Sequence, residues 1–234
     1  PSLTECPDLL KICKSIVVLD HHRAGTETIE NATLSYVETY ASSACEMVSE
    51  ILQYISDSLR IKSEEADSMY AGMVIDTNNF VSKTGVRTFE AAAFLRRNGA
   101  DVTRVRKLFR ENAAEYKAKA DAASQAEIYK NAYAISVCTG VGLASPTVIG
   151  AQAANELLNI RGIKASFVIT PYQGKLYFSA RSIDEVNVQV IMERMGGGGH
   201  LNMAGCQMEN TPVLEGIGIL KKTLDKMIEE GEIS

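Results

Sequence analysis

Ile16-Val17-Val18-Leu19-Asp20-His21-His22-Arg23 is the stretch that indicates the fold class of this chain. Its first four residues are apolar and mostly β-branched, a pattern that predicts a short buried strand. The apolar run stops at Asp20, and two histidines and an arginine follow directly. Reactive groups in open α/β sheets gather at the carboxyl ends of strands. The stretch therefore predicts an α/β fold with a candidate site where this strand ends.

The rest of the chain alternates segments of helical and strand-like character. Helices are predicted to begin near residues 42–43 and 63 and to span 87–98, 102–109, 111–130, 147–158, 188–195 and 213–229. Strands are predicted at 133–138, 164–170, 176–181 and 206–208. The segment 111–130 is rich in Ala, Glu and Lys and has few apolar residues, so we interpret it as a helical connector. We expect a first domain at 1–111, a connector at 112–131 and a second α/β domain at 132–234.

Composition limits the classes of protein to which the chain can belong. The 234 residues carry a net charge of −5 and five cysteines. An acidic chain is poorly suited to grip long duplex nucleic acid, because that role depends on a basic surface. The odd cysteine count and the lack of a Cys-x-x-Cys pair favour a reducing compartment, which predicts a cytoplasmic location. No apolar run approaches the ~20 residues that a membrane-spanning helix needs.

Asp76 is the natural partner of the two histidines. It follows the apolar run 73–75, so it also lies where a buried element meets a loop. An imidazole combined with carboxylates suits manganese, zinc or iron better than calcium. However, an aspartate in such a place is often a cap or turn residue, and a histidine is often structural. On the residues alone, a metal site and a structural role both stay open.

A second candidate site lies near the end of the chain. Tyr177, Ser179 and Arg181 alternate along one predicted strand and therefore share a face. Arg181 can donate two hydrogen bonds to a phosphate. The glycine tract 196–199, followed by His200, can form a nest of backbone N–H groups that binds an anion. A solvated arginine and an irregular turn are the alternatives to a phosphate pocket.

Two sets of motifs resemble those of DHH-family phosphoesterases. Leu19-Asp20-His21-His22-Arg23 is similar to the signature after which the family is named. Four further stretches resemble the DHH-associated C-terminal domain and follow one another in the family's order. They are Ser179-Ala180-Arg181-Ser182, Asn187-Val188, the glycine tract with His200, and Ala204-Gly205. The resemblance covers essentially the whole chain. It implies the C-terminal part of a DHH-type parallel-sheet domain followed by a smaller α/β DHH-associated domain.

The resemblance also implies a role for each candidate residue. His21 and Asp76 match ligands of a centre that holds two manganese ions. His22 and Asp20 form the implied catalytic pair, with His22 at the substrate phosphate and Asp20 orienting its neighbours. The implied substrate-binding residues are Ser179, Arg181, Gly196, Gly197, Gly198, Gly199 and His200.

The stretches 76–80, 84–89 and 97–101 resemble the GdpP-type branch of the family. The implied activity is metal-dependent hydrolysis of cyclic di-AMP, or of the related linear dinucleotide, to smaller nucleotides. The alternatives are nanoRNase-like or RecJ-like cleavage of short oligonucleotides, and a nucleotide-binding fragment without catalysis. Sensory domains and membrane helices upstream are implied for the parent protein, and a homodimer stays open.

The sequence departs from the family in one respect. The family's remaining metal ligands come from an upstream His-x-x-x-Asp-x-Asp motif and a further aspartate, and the sequence contains neither. From this departure we expect a truncated chain that has little or no phosphodiesterase activity by itself.

Overall fold

A computed structural model describes residues 4–22, 27–55 and 59–233. The chain divides into two compact units, Pro1–Arg110 and Glu111–Ser234. Each unit has its own elements and is described by itself. Arg23, the last residue of the histidine motif, lies outside the described residues.

The first unit combines a small parallel sheet with helices. A short helix, α1 (Leu9–Ile12), precedes strand β1 (Val17–Asp20), which ends at the aspartate of the histidine motif. Strand β2 (Leu34–Val37) pairs with β1 in parallel. The longer helices that follow are α2 (Ala44–Ile55), α3 (Ser63–Asp76), α4 (Val86–Arg97) and α5 (Val102–Leu108). The predicted starts of α2 and α3 are confirmed.

The apolar core of this unit lies among the helices. Its buried members are Ala66, Met73, Ala91, Ala92, Leu95 and Ala100. Within the described ranges, neither β1 nor β2 contributes a residue to this core, and every residue of β2 is exposed. The small sheet must therefore be held against the helices largely by other contacts.

Strand β2 was not predicted from the sequence. Its four residues are all exposed, so the segment lacks the burial pattern that marks a half-buried strand. The segment is a strand because its backbone pairs with β1, with Val17 opposite Leu34 and Asp20 opposite Val37. Such pairing between distant segments is invisible to local periodicity.

The second unit contains a mixed sheet, whose strands are β3 (Glu127–Tyr129), β4 (Tyr133–Val137), β5 (Ala165–Tyr172), β6 (Lys175–Ser182), β7 (Gly198–His200) and β8 (Met203–Glu209). Its helices are α6 (Ala113–Ser124), α7 (Pro146–Leu157), α8 (Val188–Arg194) and α9 (Val213–Glu229). In space the strands follow the order β3-β4-β5-β6-β8-β7. Strands β4 and β5 are parallel, and the other neighbours are antiparallel.

Apolar residues cover both faces of this sheet. On one face, Phe167 and Phe178 pack with Ile191 of α8 and Leu220 of α9. On the other face, Val168 packs with residues of α6 and α7. Strand β6 alternates strictly, because every second residue is buried and the remaining ones are half-buried. The half-buried set includes Ser179 and Arg181, as the alternation in the sequence predicts.

Residues 111–131 fold with the second unit. Ala122 of α6 is buried in the cluster that includes α7, and Ser136 donates a 2.5 Å hydrogen bond to the Ala122 carbonyl. The helical prediction is wrong at 127–129, because this segment pairs with β4 and Tyr129 packs against the apolar core. The domain limits 1–111, 112–131 and 132–234 stay a prediction. Across the described ranges, no helix has both the length and the apolar character that crossing a membrane demands.

Candidate functional site

The structure brings His21 and Asp76 together. His21 follows β1, and Asp76 is the last residue of α3. The Nε2 atom of His21 lies 3.7 Å from Oδ2 of Asp76. The His21 side chain is 12% exposed and the Asp76 side chain 39%, so a ligand can reach the pair from the side of the carboxylate.

This pair fits a divalent metal ion in chemistry and in distance. Nitrogen and oxygen ligands usually bind such an ion at ~2.0–2.2 Å, so two ligands of one ion lie at most about 4.4 Å apart. The observed 3.7 Å separation is within that limit. In the described part of the chain, no group of three or more His, Cys, Asp or Glu side chains is arranged to hold a metal. The metal-binding role of His21 and Asp76 therefore stays a prediction.

Asp20 and His22 form a second close pair at the end of β1. Oδ1 of Asp20 accepts a 3.0 Å hydrogen bond from the backbone N–H of His22 and lies 2.8 Å from Nδ1 of the His22 ring. These contacts, with the backbone bond as the largest cause, hold the pKa of Asp20 below its ordinary value. An ionised Asp20 favours the tautomer in which Nδ1 of His22 carries the proton. The other ring nitrogen, Nε2, is then free to meet a ligand, since the His22 side chain is 76% exposed.

Sequence reasoning missed a cluster of charged residues beside this site. Arg87, at the start of α4, donates hydrogen bonds to Glu50 of α2 and to Glu38, which follows β2. The stretch that contains Arg87 contributed to the family resemblance, but no role was inferred for the arginine. A single arginine in a sequence gives no sign of which distant carboxylates it binds.

In the second unit, the predicted substrate-binding residues share one face of the sheet. Ser179 lies opposite Gly205, which in turn lies opposite Gly198. Arg181 lies opposite Met203, which in turn lies opposite His200. Directly paired residues point to the same side of a sheet. The topology therefore brings the arginine, the serine, part of the glycine tract and the histidine together.

Arg181 is the residue whose environment most directly suggests a missing ligand. Its Nη1 donates to the carbonyl of Ala180 at 2.9 Å, but its Nε is buried and has no hydrogen-bond partner among the described residues. Burial lowers the pKa of the guanidinium, because a desolvated charge is costly. Buried donors are nearly always paired in native proteins. An anion at this face would supply the partner.

Part of the glycine tract is required for close packing of the backbone, independently of any ligand. The N–H groups of Gly196 and Gly197 donate to the carbonyls of Glu193 and Met192, so these two donors are already used. A Cβ atom at Gly197 would lie 2.1 Å from the Gly205 carbonyl oxygen, and one at Gly199 would lie 2.5 Å from Ala204 Cα. Gly198 meets nothing within 4 Å. The anion-binding role of the tract stays a prediction, for which Gly198 is the most open position.

Other predicted residues are placed as follows. His200 is exposed at the end of β7. The side chain of Asn187 caps α8 by accepting a 3.0 Å hydrogen bond from the N–H of Gln189. Arg181 and His22 belong to different units, and their shared role at one substrate stays a prediction.

Comparison with known proteins identifies the family. The profile of the DHH family, N-terminal domain, matches residues 3–73, and the profile of the DHHA1 domain matches residues 132–230. The chain belongs to the DHH family. The two matches contain the histidine motif and the Arg181 face, respectively.

Curated relatives support this membership. The DHH-family chain is 42% identical to the cyclic-di-AMP phosphodiesterase GdpP of Geobacillus thermodenitrificans, over 99% of the chain and 35% of that protein. It is 41% identical to the cyclic-di-AMP phosphodiesterase PdeA of Listeria monocytogenes, over 92% of the chain and 33% of that protein. The chain thus spans about a third of the length of these relatives.

A solved structure supports the fold. An exopolyphosphatase-related protein from Bacteroides fragilis superposes with a TM-score of 0.76 over 90% of this DHH-family chain and 63% of its own. The two sequences are 21% identical, so the similarity concerns the fold alone. It agrees with the predicted α/β class.

Proposed function

We propose that this chain is the DHH and DHHA1 part of a metal-dependent phosphodiesterase that hydrolyses cyclic di-AMP or the related linear dinucleotide. The observation that carries the proposal is the 3.7 Å approach of His21 to Asp76 at the ends of two elements. This approach occurs in a chain that is 42% identical to a cyclic-di-AMP phosphodiesterase over nearly all of its length.

The metal is part of the proposal. His21 and Asp76 would hold a divalent cation, with manganese as the ion that the family resemblance implies. When bound, such an ion supplies Lewis-acid activation of a phosphoryl oxygen and of water. A second ion and further ligands, as the resemblance implies, would complete the centre in the whole protein.

Asp20 and His22 would act on the phosphate itself. The ionised Asp20 fixes the ring of His22 through Nδ1 and also binds its backbone N–H. The exposed Nε2 of His22 can then bind a phosphate oxygen when protonated, or accept a proton from water when neutral. Asp20 acts through His22 as an orienting group.

Arg181 and its neighbours would hold the nucleotide. The buried, unpartnered Nε of Arg181 is matched to a phosphate oxygen, which accepts hydrogen bonds and carries the opposite charge. Ser179 and Gly198 lie on the same face and offer a hydroxyl group and an unobstructed backbone. Membrane anchoring, upstream sensory domains and a homodimer stay predictions about the whole protein.

A second candidate function is nucleotide binding without hydrolysis. It is favoured by the Arg181 face, which has an unmet donor that does not depend on the metal pair. Under this alternative neither the chain nor the whole protein cleaves the bound cyclic di-AMP at any Mn²⁺ concentration.

The test measures binding and hydrolysis separately. Purified chain is titrated with Mn²⁺ and with cyclic di-AMP by calorimetry. Hydrolysis of cyclic di-AMP, the linear dinucleotide and a short oligonucleotide is followed by chromatography for the chain and for the whole protein. Asp76→Asn should abolish Mn²⁺ binding and leave nucleotide binding in the absence of metal. The matched control is Asp121→Asn, which removes an exposed carboxylate of α6.

The proposal predicts a preference for the dinucleotides over the oligonucleotide wherever hydrolysis occurs. Preference for the oligonucleotide would contradict it. Mn²⁺ binding that is equally strong in the wild type and in Asp76→Asn would show that the metal site lies elsewhere.

A further inference from the structure

The small sheet that leads to His21 is separate from the apolar core of the helices that lead to Asp76, although Ile16, directly before β1, is buried. Within the described residues, β1 and β2 add nothing to the apolar core formed mainly by α3 and α4. Three residues of β1 are half-buried, and all of β2 is exposed. The distance between His21 and Asp76 therefore depends on whatever joins the small sheet to the helices.

Arg87 makes contacts on both sides of that junction. On the side of the helices, its Nε and Nη2 donate to the two carboxylate oxygens of Glu50, each at 2.7 Å. On the side of the sheet, its Nη1 donates to Glu38 at 3.5 Å. The hydrogen bonds to Glu50 are the largest cause that raises the pKa of Arg87, so the guanidinium keeps its charge and all its donors.

Through Glu38, Arg87 is linked to His21, the first residue of the metal pair. The backbone N–H of Glu38 donates a 2.9 Å hydrogen bond to the carbonyl of Asp20, the residue that precedes His21. An arginine that holds Glu38 therefore also restrains the end of β1.

Through Glu50, Arg87 is also linked to Asp76, the second residue of the metal pair. Glu50 belongs to α2, and Cys45 of the same helix packs so closely on α3 that a Cβ atom at Gly72 would lie 2.5 Å from the Cys45 sulfur. Gly72 lies one helical turn before Asp76, on the same side of α3. Helix α2 thus relates the position of Arg87 to that of Asp76.

We propose that Arg87 is a positioning residue for the metal site. Its guanidinium group holds the end of β1 at the distance from α3 that lets His21 and Asp76 share one ion. This inference rests on the proposed function, because it assigns Arg87 to the same site. Arg87 touches neither metal nor substrate in this role, and it acts through Glu38 and Asp20.

Replacing Arg87 should change Mn²⁺ affinity in opposite directions if the residue positions the ligands and if it acts only through its charge. A positive charge near a cation site repels the cation, so removing it should strengthen Mn²⁺ binding if charge alone mattered. Positioning predicts the opposite, a weakening. Loss of an outer partner that orients metal ligands typically costs about 10–100-fold in metal affinity.

The experiment compares Arg87 with a matched arginine of the same unit. Arg104 of α5 binds Asp67 of α3 through two hydrogen bonds of 2.6 and 3.2 Å. Among the described residues, its other polar partners are Gly99 and Asp101, which lie outside the small sheet. Arg87→Gln, Arg87→Lys, Arg104→Gln and Arg104→Lys are made in the full chain. For each variant, Mn²⁺ affinity is measured by electron paramagnetic resonance and thermal stability by calorimetry.

We expect Arg87→Gln to weaken Mn²⁺ binding about 10–100-fold. Arg87→Lys should also weaken it, because an ammonium group keeps the charge but cannot form the fork. The Arg104 variants should lose a comparable amount of thermal stability and retain Mn²⁺ affinity. Unchanged or tighter Mn²⁺ binding in Arg87→Gln, or equal weakening in both series, would overturn the inference.

A metal-free measurement distinguishes failure of this inference from failure of the proposed function. Nuclear Overhauser contacts between the His21 ring and the Asp76 methylene protons report their proximity without Mn²⁺. They should be present in the wild type and in Arg104→Gln and lost in Arg87→Gln. If the Overhauser contacts persist in Arg87→Gln, the positioning role of Arg87 is wrong. If the wild-type chain shows these contacts but binds no Mn²⁺, the result counts against the proposed function alone.

Discussion

Asp20 and Arg181 are opposite cases of a charged side chain near a candidate site. Asp20 has its partner, since His22 supplies both a backbone and a ring hydrogen bond. Arg181 is half-buried, and its buried Nε has no partner among the described residues. A buried polar group without a partner reduces stability unless a ligand supplies one. The two residues therefore respond differently to substitution and to pH.

Replacing Arg181 by methionine should separate stability from binding. Arg181→Met keeps an unbranched side chain and removes a desolvated charge and an unpaired donor, so the melting temperature without ligand should rise. Binding of cyclic di-AMP should weaken by ~1.5–3 kcal/mol, the usual contribution of a hydrogen bond to a charged group. Calorimetry measures both quantities.

The control for this substitution is Lys175→Met on the same strand and face. Lys175 binds Glu209 at 2.7 Å, so its charge is already partnered. Neither a rise in melting temperature nor a loss of affinity is expected from it. If Arg181→Met binds cyclic di-AMP as well as the wild type does, the arginine has no part in nucleotide binding.

The protonation of Asp20 provides a test by pH. Its pKa in the folded chain is lowered, so its contacts with His22 stabilise the fold above the ordinary aspartate pKa and are lost as pH falls through the lowered value. Carboxyl carbon shifts measured on metal-free protein should show a midpoint below that of an unfolded peptide. His22→Ala should raise this midpoint only in part, because the backbone bond is the larger cause. A midpoint at or above the peptide value would contradict the hydrogen bonding described here.

At the scale of elements, the glycine tract shows two different reasons for a glycine. One is close packing of the backbone of neighbouring strands, and the other is close approach of a ligand to the backbone. Strands β7 and β8 run close together, with Gly198 opposite Gly205 and Gly199 opposite Ala204. Gly197 has no room for a side chain because the carbonyl of Gly205 occupies it, whereas Gly198 faces open space. Four glycines in a row look alike in sequence, but the sheet gives them different constraints.

Alanine substitutions should reveal this difference. Gly197→Ala should lower the melting temperature, because its Cβ would overlap the Gly205 carbonyl at 2.1 Å. Gly198→Ala should leave the melting temperature unchanged and weaken dinucleotide binding, if the ligand approaches the backbone there. Thermal melts and calorimetric titrations of both variants check the two halves of the prediction. Unaltered affinity in a stable Gly198→Ala variant would remove Gly198 from the binding surface.

At the scale of the whole molecule, each unit has an apolar core of its own. The first core is centred on helices α3 and α4 and includes the fully buried Leu95. The second unit has a core on each face of its sheet, and Leu157 is fully buried in one of them. Separate cores suggest that local opening of one unit need not open the other.

We expect Leu95→Ala to destabilise the first unit by about 2–5 kcal/mol through loss of buried contacts and the cavity it leaves. Amide hydrogen exchange should accelerate in α3 and α4 and stay slow in β5. Leu157→Ala, the reciprocal control, should give the reverse pattern. If either substitution accelerates exchange equally in both units, the chain unfolds as one cooperative structure.

Much of the fold was predictable because it is encoded locally. The start of α2 near Ser43 follows from a capping serine and apolar spacing, and the start of α3 near Ser63 from the acidic residues of its first turn. Helix α9 spans the predicted 213–229. Strand β6 was predicted because burial on one face imposes strict alternation. Strands β2, β3 and β7 were missed, since an exposed segment, the end of an Ala-rich stretch and a glycine tract become strands only through pairing with a neighbour.

The sequence by itself determined the α/β class, the DHH family, and the residue types of two candidate sites, because family motifs and alternation are properties of short stretches. Only the tertiary structure decided that His21 and Asp76 lie 3.7 Å apart, that the Nε of Arg181 is buried without a partner, and that Arg87 joins the small sheet to the helices. These facts depend on contacts between residues tens of positions apart. Such contacts arise when separate elements pack, and no local pattern of residues records them.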